Sequence, residues 1–181
     1  QTCALPIWKI KFNHTEVVKS ICKACKIPSK KLDGVCSCIS TVRSIGGRWA
    51  DVKKKLESAP LMISSQSVKL LQEYLQLTGT PRAISGKLGA SLLKSSLDDI
   101  SLLLDNLTSL SVDVDKLLQF DLRLMKNFSR YSGLYFQVGI QNRKHFDVLG
   151  HGGRYDRLVS EWGKNPLVKR DQSRKRSDSV V

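Results

Sequence analysis

The spacing of apolar residues divides the chain into an entry strand, a helical middle and a strand-rich end. Residues 8–12 alternate apolar and basic side chains, which predicts a half-buried strand. A helix is predicted to follow, capped by Asn13 or Thr15 and ended by Pro28. Apolar residues at helical spacing predict three more helices, near residues 49–56, 68–75 and 91–110.

Two stretches lack so clear a period. Residues 35–42 fit either a strand or the start of a helix. Residues 78–89 hold three glycines and a proline, which predicts a loop.

The end of the chain has the period of two that is typical of strands. Leu134, Phe136, Val138 and Ile140 fall on one face of a predicted strand, and the residues between them fall on the other. We predict strands over 117–125, 133–141 and 146–149, a turn at 150–153 and a short helix at 154–162. Short connections favour antiparallel pairing of these strands. Helices followed by antiparallel strands predict an α+β fold.

Length and charge narrow the functional class. A chain of 181 residues can bury one sizeable core, and it has no run of eighteen apolar residues that could span a membrane. The net charge is +14, and it is concentrated at the two ends of the chain. Residues 1–60 carry 12 Lys and Arg against 4 Asp and Glu, and residues 121–181 carry 13 against 6. Such a surface attracts polyanions, so a nucleic-acid partner and a solvated surface with no partner both remain open.

Five cysteines raise the question of a metal site. An odd, scattered set without a secretory signal favours a reducing compartment. Cys22 and Cys25 have zinc-like spacing, but they share a helical face with apolar residues, so we expect them in the core. Cys36 and Cys38 are separated by one residue, which is atypical of zinc knuckles. We therefore predict no metal site.

Two blocks near the end of the chain resemble a known family. Residues 120–136 read FDLRLMKNFSRYSGLYF, and residues 150–158 read GHGGRYDRL. In order and spacing they are similar to the paired histidine-specific motifs of histidyl-tRNA synthetases, an Arg-Gly-Leu-Asp-Tyr-Tyr-Thr-Gly block followed by Gly-Gly-Arg-Tyr-Asp. Asn13 and His14 also resemble the segment that follows the family's second class motif. The resemblance implies a partial class II aminoacyl-tRNA synthetase core, one that begins after the second class motif and ends before the third.

The first block departs from the family pattern where chemistry would occur. The place of the family's catalytic arginine is taken by Lys126, which lacks the planar two-pronged donor of a guanidinium. The next four places hold Asn127, Phe128, Ser129 and Arg130, and only the second tyrosine remains, as Tyr131. A site tuned by hydrogen bonds loses selectivity when those groups change. The resemblance thus implies a degenerate histidine pocket, at Lys126, Ser129, Tyr131, Gly152, Gly153 and Tyr155, with no catalytic residue.

Eroded motifs of this kind resemble the synthetase-like domain of the kinases that phosphorylate initiation factor 2 alpha during amino-acid starvation. That resemblance implies a cytoplasmic, non-catalytic domain that binds uncharged tRNA and acts on the kinase domain of the same parent chain, with a possible homodimer through other regions. It implies no cofactor for this part of the chain and ATP for the parent. The candidate polyanion contacts are Lys126, Arg130, Arg154 and Arg157.

Two other interpretations remain open. The chain could be part of a genuine but divergent histidyl-tRNA synthetase, an ATP-dependent ligase. It could also be a protein-interaction subunit like the synthetase-like regulatory subunit of bacterial histidine biosynthesis, for which a charge of +14 is unexpected. A kinase site within the chain is not predicted, since no Gly-x-Gly-x-x-Gly loop, His-Arg-Asp or Asp-Phe-Gly is present.

We divide the chain into three parts on sequence grounds. Residues 1–7 have no periodicity, do not begin with methionine and are expected to be a non-native leader. Residues 8–162 are expected to form the partial synthetase-like domain. Residues 163–181 have no apolar period and several basic residues, and we expect a disordered basic tail.

Overall fold

A computed structural model describes residues 7–44, 46–77, 80–88, 90–125, 130–142 and 145–156. Within these ranges no helix has the length and apolar character needed to cross a membrane. The predicted leader, except for Ile7, and the predicted tail lie outside the described residues.

A four-stranded sheet forms one layer of the fold. Its strands are β1 (Ile7–His14), β2 (Leu118–Phe120), β3 (Leu134–Gln141) and β4 (Phe146–Gly153). Their order in the sheet is β2-β1-β3-β4. The first strand of the chain therefore sits between two strands that come more than a hundred residues later. It pairs with β3 along its whole length, from Ile7 opposite Gln141 to His14 opposite Leu134.

The helices lie between β1 and β2 in sequence. They are α1 (Thr15–Ala24), α2 (Leu32–Ser44), α3 (Trp49–Glu57), α4 (Ser65–Leu75), α5 (Pro81–Leu88), α6 (Ala90–Ser109) and α7 (Val114–Leu117), with a 3₁₀ turn at Ser29–Lys31. Their apolar faces and one end of the sheet enclose a single core that runs from Phe12 and Val17 to Phe120 and Met125. The predicted mixed fold of helices with a mostly antiparallel sheet is confirmed.

The elements with a clear apolar period were predicted well. The entry strand and the helices at 49–56, 68–75 and 91–110 are all present. The first helix is capped by His14 rather than by Asn13 or Thr15. The undecided stretch at 35–42 is helical and lies inside α2.

Three local predictions were wrong. The expected loop at 78–89 contains the helix α5, which starts at Pro81, a residue whose fixed φ suits a first helical turn. Strand β2 is three residues long rather than nine, and it runs parallel to β1 instead of pairing with β3. The glycines at 150–153 continue β4 instead of forming a turn. Most of the predicted helix at 154–162 lies outside the described residues.

The cysteines of the described residues pack as small apolar side chains. Cys22, Cys25 and Cys36 are buried in the core, and Cys38 is half-buried. Burial raises the pKa of the Cys22 thiol to about 12 and that of Cys25 to about 11. Protonated, buried thiols are poor metal ligands and poor nucleophiles. No group of three potential ligands that could hold a metal ion occurs in the described part of the chain.

A buried asparagine fastens the end of β1 to the segment after β2. The amide of Asn13 donates to the carbonyl oxygens of Leu122 (3.3 Å) and Leu124 (3.0 Å), and its own oxygen accepts from the His14 backbone N–H (2.8 Å). The hydroxyl of Tyr135 on β3 donates to the same Leu124 carbonyl. Asn13 is fully buried, so each of these groups depends on the others rather than on water.

Replacing this asparagine should therefore cost far more than replacing the tyrosine. For Asn13→Ala we expect a loss of roughly 2–4 kcal/mol in the free energy of unfolding, because two buried carbonyls and one N–H lose a partner. For Tyr135→Phe we expect about 1 kcal/mol, because the Leu124 carbonyl keeps its bond to Asn13. Urea unfolding of both variants measures this. The control Asn106→Ala, on the exposed face of α6, should change stability by less than about 0.5 kcal/mol; equal losses for the first two variants would contradict the assignment.

His14 connects three elements at the same point. Its Nδ1 accepts from the Glu16 backbone N–H (3.2 Å) and so caps α1. Nε2 then carries the proton of the neutral ring and lies 3.4 Å from Asp99 Oδ2 on α6, longer than a well-formed hydrogen bond. Burial lowers the pKa of His14, and the nearby Asp99 carboxylate only partly offsets that effect.

The lowered pKa predicts a loss of stability on acidification. In the unfolded chain His14 takes up a proton near its ordinary pKa of 6.5, while the folded state resists until a lower pH. The contribution of His14 is therefore complete above about pH 7 and declines as pH falls through 6.5, with a slope of at most about 1.4 kcal/mol per pH unit. We expect His14→Asn, which keeps a capping side chain, to remove this part of the pH dependence in urea unfolding between pH 7.5 and 5.5. The exposed His145→Asn should keep it, and an unchanged pH profile in His14→Asn would refute the effect.

Candidate functional site

The two motif blocks meet at one edge of the sheet. Strand β3 begins there, and β1 and β4 end there. The Ser132 N–H donates to the Arg154 carbonyl (2.7 Å), and the Arg154 N–H donates to the Leu134 carbonyl (2.9 Å). The blocks are about twenty residues apart in sequence and directly adjacent in space.

The N-terminus of α1 holds the first block in place. The Thr15 backbone N–H donates to the Gly133 carbonyl (3.0 Å), and the Gly133 N–H donates to Thr15 Oγ1 (2.9 Å). Gly133 has a φ of +118°, a conformation that glycine adopts without strain. This reciprocal pair fixes where Tyr131 and Ser132 lie beside the end of β4.

Gly153 is required by packing. The rings of Tyr131 and Tyr135 stack in parallel with centroids 5.4 Å apart. A Cβ at position 153 would lie 2.7 Å from Tyr131 Cδ1, 2.7 Å from Tyr135 Cβ and 2.8 Å from the Leu134 carbonyl oxygen. No side chain can be placed there without moving the backbone, so the tyrosine pair depends on a glycine opposite it.

Gly152 shows a milder form of the same constraint on the other face of the strand. A Cβ there would lie 3.0 Å from the Phe136 ring, which is 40% exposed and can move slightly. The two glycines of the second block thus accommodate aromatic rings on opposite faces of β4.

The exposed residues of the site are basic and aromatic. Arg154 is exposed and its Nε contacts the Asp156 carboxylate at 2.6 Å. Arg130 and Tyr155 are also exposed at this edge, and Tyr131 is half-buried. The structure therefore brings together six of the predicted site residues, namely Arg130, Tyr131, Gly152, Gly153, Arg154 and Tyr155. The other three, Lys126, Ser129 and Arg157, lie outside the described residues.

Sequence reasoning missed a second group of residues near the first block. A cavity of about 400 Å³ opens between α2, α3 and α4, with Trp49 and Arg123 in its wall. Arg123 is held by the buried Asp121, whose Oδ1 accepts from the Arg123 backbone N–H (3.0 Å) and Nε (3.1 Å). The sequence signal was the Asp121-x-Arg123 spacing, in which an aspartate can bond the backbone two residues on.

Three similarities to known proteins bear on this geometry. The family model described as histidyl-tRNA synthetase matches residues 1–167. A cytoplasmic histidine–tRNA ligase of Dictyostelium discoideum is 24% identical over 165 residues, covering 88% of this chain and 34% of that protein. A protein of the same organism named "Probable serine/threonine-protein kinase ifkB" is 28% identical over 173 residues, covering 89% of this chain and 12% of that protein.

A solved structure agrees with the fold. The histidyl-tRNA synthetase from Nostoc sp. PCC 7120 superposes with a TM-score of 0.69 at 19% identity, covering 86% of this chain and 37% of that one. The chain spans about a third of the length of these two synthetases and a smaller share of the kinase. A family model that matches nearly the whole chain, together with the meeting of both motif blocks at one sheet edge, places this chain in the histidyl-tRNA synthetase family.

Proposed function

We propose that this chain is part of a non-catalytic tRNA-binding domain of a serine/threonine kinase that senses uncharged tRNA and phosphorylates initiation factor 2 alpha. One observation carries the proposal: a synthetase motif pair whose packing residues are intact lacks the arginine of the active family at position 126. The similarity to a kinase over 89% of the chain supports the same choice.

The chemistry of the altered block argues against amino-acid activation. Activation requires a cation that grips carboxylate and phosphate oxygens in a fixed geometry, which an arginine does with two parallel N–H donors. A lysine supplies one mobile point charge. The hydrogen-bonding neighbours of the family's arginine are also replaced. In this proposal the degenerate pocket therefore no longer binds histidine selectively. Its residues are Lys126, Ser129, Tyr131, Gly152, Gly153 and Tyr155.

The charge of the same edge supports a polyanionic ligand. Arg130 and Arg154 are both exposed, and the segments that carry them are joined by a backbone hydrogen bond. Lys126 and Arg157 flank these two arginines in sequence. The ion pair between Arg154 and Asp156 is exposed on both sides, so a phosphate can replace the carboxylate at little cost. Tyr155, also exposed, offers a ring on which an unpaired base can stack. RNA offers a partner for each of these groups, because its phosphates contact the basic side chains and an unpaired base stacks on the tyrosine ring.

The parent protein follows from the same proposal. ATP serves the kinase domain of the parent, and this domain needs no cofactor. Its partners are uncharged tRNA and the kinase domain of the same chain. The parent forms a homodimer through other regions and acts in the cytoplasm.

The complete reading frame tests this assignment directly. A protein-kinase domain before residue 1 is expected, and intact class II motifs without a kinase domain would refute the kinase assignment.

Binding of tRNA should depend steeply on salt and on the exposed arginines. We expect the double variant Arg130→Gln/Arg154→Gln to bind labelled uncharged tRNA more weakly and to lower the slope of log K against log salt by roughly two, about one for each lost phosphate contact. Fluorescence anisotropy between 50 and 300 mM KCl measures both quantities.

The matched control is Arg82→Gln, which removes an exposed arginine that is also paired with an aspartate but lies on α5. It should leave the salt slope unchanged. A salt-independent affinity, or an equal effect of the control and the double variant, would count against the proposed interface.

The second candidate is a divergent histidyl-tRNA synthetase, favoured by the 24% identity to the Dictyostelium ligase. It requires histidine-dependent exchange of pyrophosphate into ATP by the full-length protein. We expect none, and we expect Lys126→Arg to restore none, because Asn127, Phe128 and Ser129 still differ from the family block. Exchange activity in either form, measured with radiolabelled pyrophosphate against a histidine-free control, would establish the synthetase instead.

A further inference from the structure

A cavity that contacts the first motif block only through Arg123 has the properties of a small-molecule site. It holds about 400 Å³ between α2, α3, α4 and the turn that precedes α3, and it shares no residue with the tRNA site proposed above. This volume lies within the usual range of ligand pockets. Its lining residues are Ile39, Gly46, Gly47, Trp49, Val52, Gln72, Leu75, Gln76 and Arg123.

The floor of the cavity is apolar, and its wall includes two side chains that can only donate, Trp49 and Arg123. Ile39, Val52 and Leu75 are buried core residues that supply the apolar surface. The Trp49 indole Nε1–H is buried and finds no acceptor among the described residues. A buried donor without an acceptor is unfavourable and uncommon in folded proteins.

Arg123 supplies a positive charge at the same wall. Its Nε donates to Asp121, and its two terminal nitrogens make no hydrogen bond or ion pair with the described residues. About a third of the Arg123 side chain is exposed, while Asp121 is buried beneath it. Asp121 thus fixes the orientation of the guanidinium and leaves its outer edge available. None of the lining residues carries a negative charge.

We propose that this cavity binds a small molecule with an apolar body and one carboxylate group. A carboxylate accepts hydrogen bonds only, through two oxygens, so it can accept from the two terminal nitrogens of the Arg123 guanidinium, and the Trp49 side chain lies in the same wall. The apolar body then covers Ile39, Val52 and Leu75. The Gln72 and Gln76 amides offer further donors or acceptors at the edge.

The test uses 3-phenylpropionate and its neutral analogue 3-phenylpropionamide as probes of the 181-residue chain. The chain has three tryptophans, so labelling with 5-fluorotryptophan gives a fluorine NMR signal for each, and Trp49→Phe identifies that of Trp49. We expect the acid to shift the Trp49 signal saturably and to leave those of Trp8 and Trp162 unchanged. The amide should bind at least about ten-fold more weakly, because it lacks the charge that strengthens bonds to Arg123.

Substitutions separate the charge of Arg123 from the shape of the cavity. Arg123→Gln should weaken the acid at least about ten-fold and leave the amide unchanged. The control Arg82→Gln, another arginine paired with an aspartate, should change neither. Gln76 is exposed at the edge of the cavity, so Gln76→Glu can repel the acid without disturbing the core, while Gln76→Lys should bind it as well as or better than the original chain.

Two results would overturn the proposal. The first is a Trp49 signal that neither probe shifts up to its solubility limit. The second is equal binding of acid and amide that none of the charge substitutions alters, which would mean an apolar cavity without a carboxylate site. If Arg123→Gln does not fold, the Gln76→Glu and Gln76→Lys pair gives the same decision.

Discussion

The pairing of β1 with β3 is the contact on which the rest of the structure depends. Eight residues on each strand are matched in register, although the strands are more than a hundred residues apart in sequence. A slip of one residue would exchange the two faces of β1 and move Asn13 away from the carbonyls that it bonds. The same register places Thr15 beside Gly133, and this places the first motif block beside β4. The geometry of the candidate site is therefore set by a long-range strand pairing rather than by the local sequence of the motif block.

This dependence explains which parts of the fold the sequence could predict. Helices such as α3, α4 and α6 bury one face against the core, and their apolar period of three to four residues is visible without knowledge of the partner. The position of β1 between β2 and β3 depends on contacts across more than a hundred residues, and no local period encodes it. The helix α5 was missed because glycine and proline were counted as loop residues, whereas Pro81 occupies the first turn, where proline is favourable.

Strand β3 illustrates a limit of periodicity. Its apolar residues alternate correctly, yet its most buried side chain is Tyr135, on the face that looked more polar. The tyrosine hydroxyl has a buried carbonyl acceptor at Leu124, and that bond makes burial of the phenol favourable. Phe136, on the apolar face, is partly exposed. Alternation identifies the strand, but the available hydrogen-bond partners decide which face is buried most deeply.

The glycine of the second motif block, where the resemblance to the family is clearest, is required by packing. Gly153 has no room for a side chain because the Tyr131 and Tyr135 rings lie against it, so a chain with this fold needs the glycine whether or not it performs catalysis.

The exposed residues of the same motif are different. Arg130, Arg154 and Tyr155 fill no space in the core, and their substitution removes little packing. The function of this edge is therefore inferred from these exposed side chains and from the changes around Lys126. The glycines indicate only that the strands pack here as they do in the family. The same reasoning applies to Arg123, which is held by the buried Asp121 and lines a cavity. Packing of the core does not require a charged side chain at this position. Charged groups that the fold holds in position but does not use for packing are the most informative places to look for ligands.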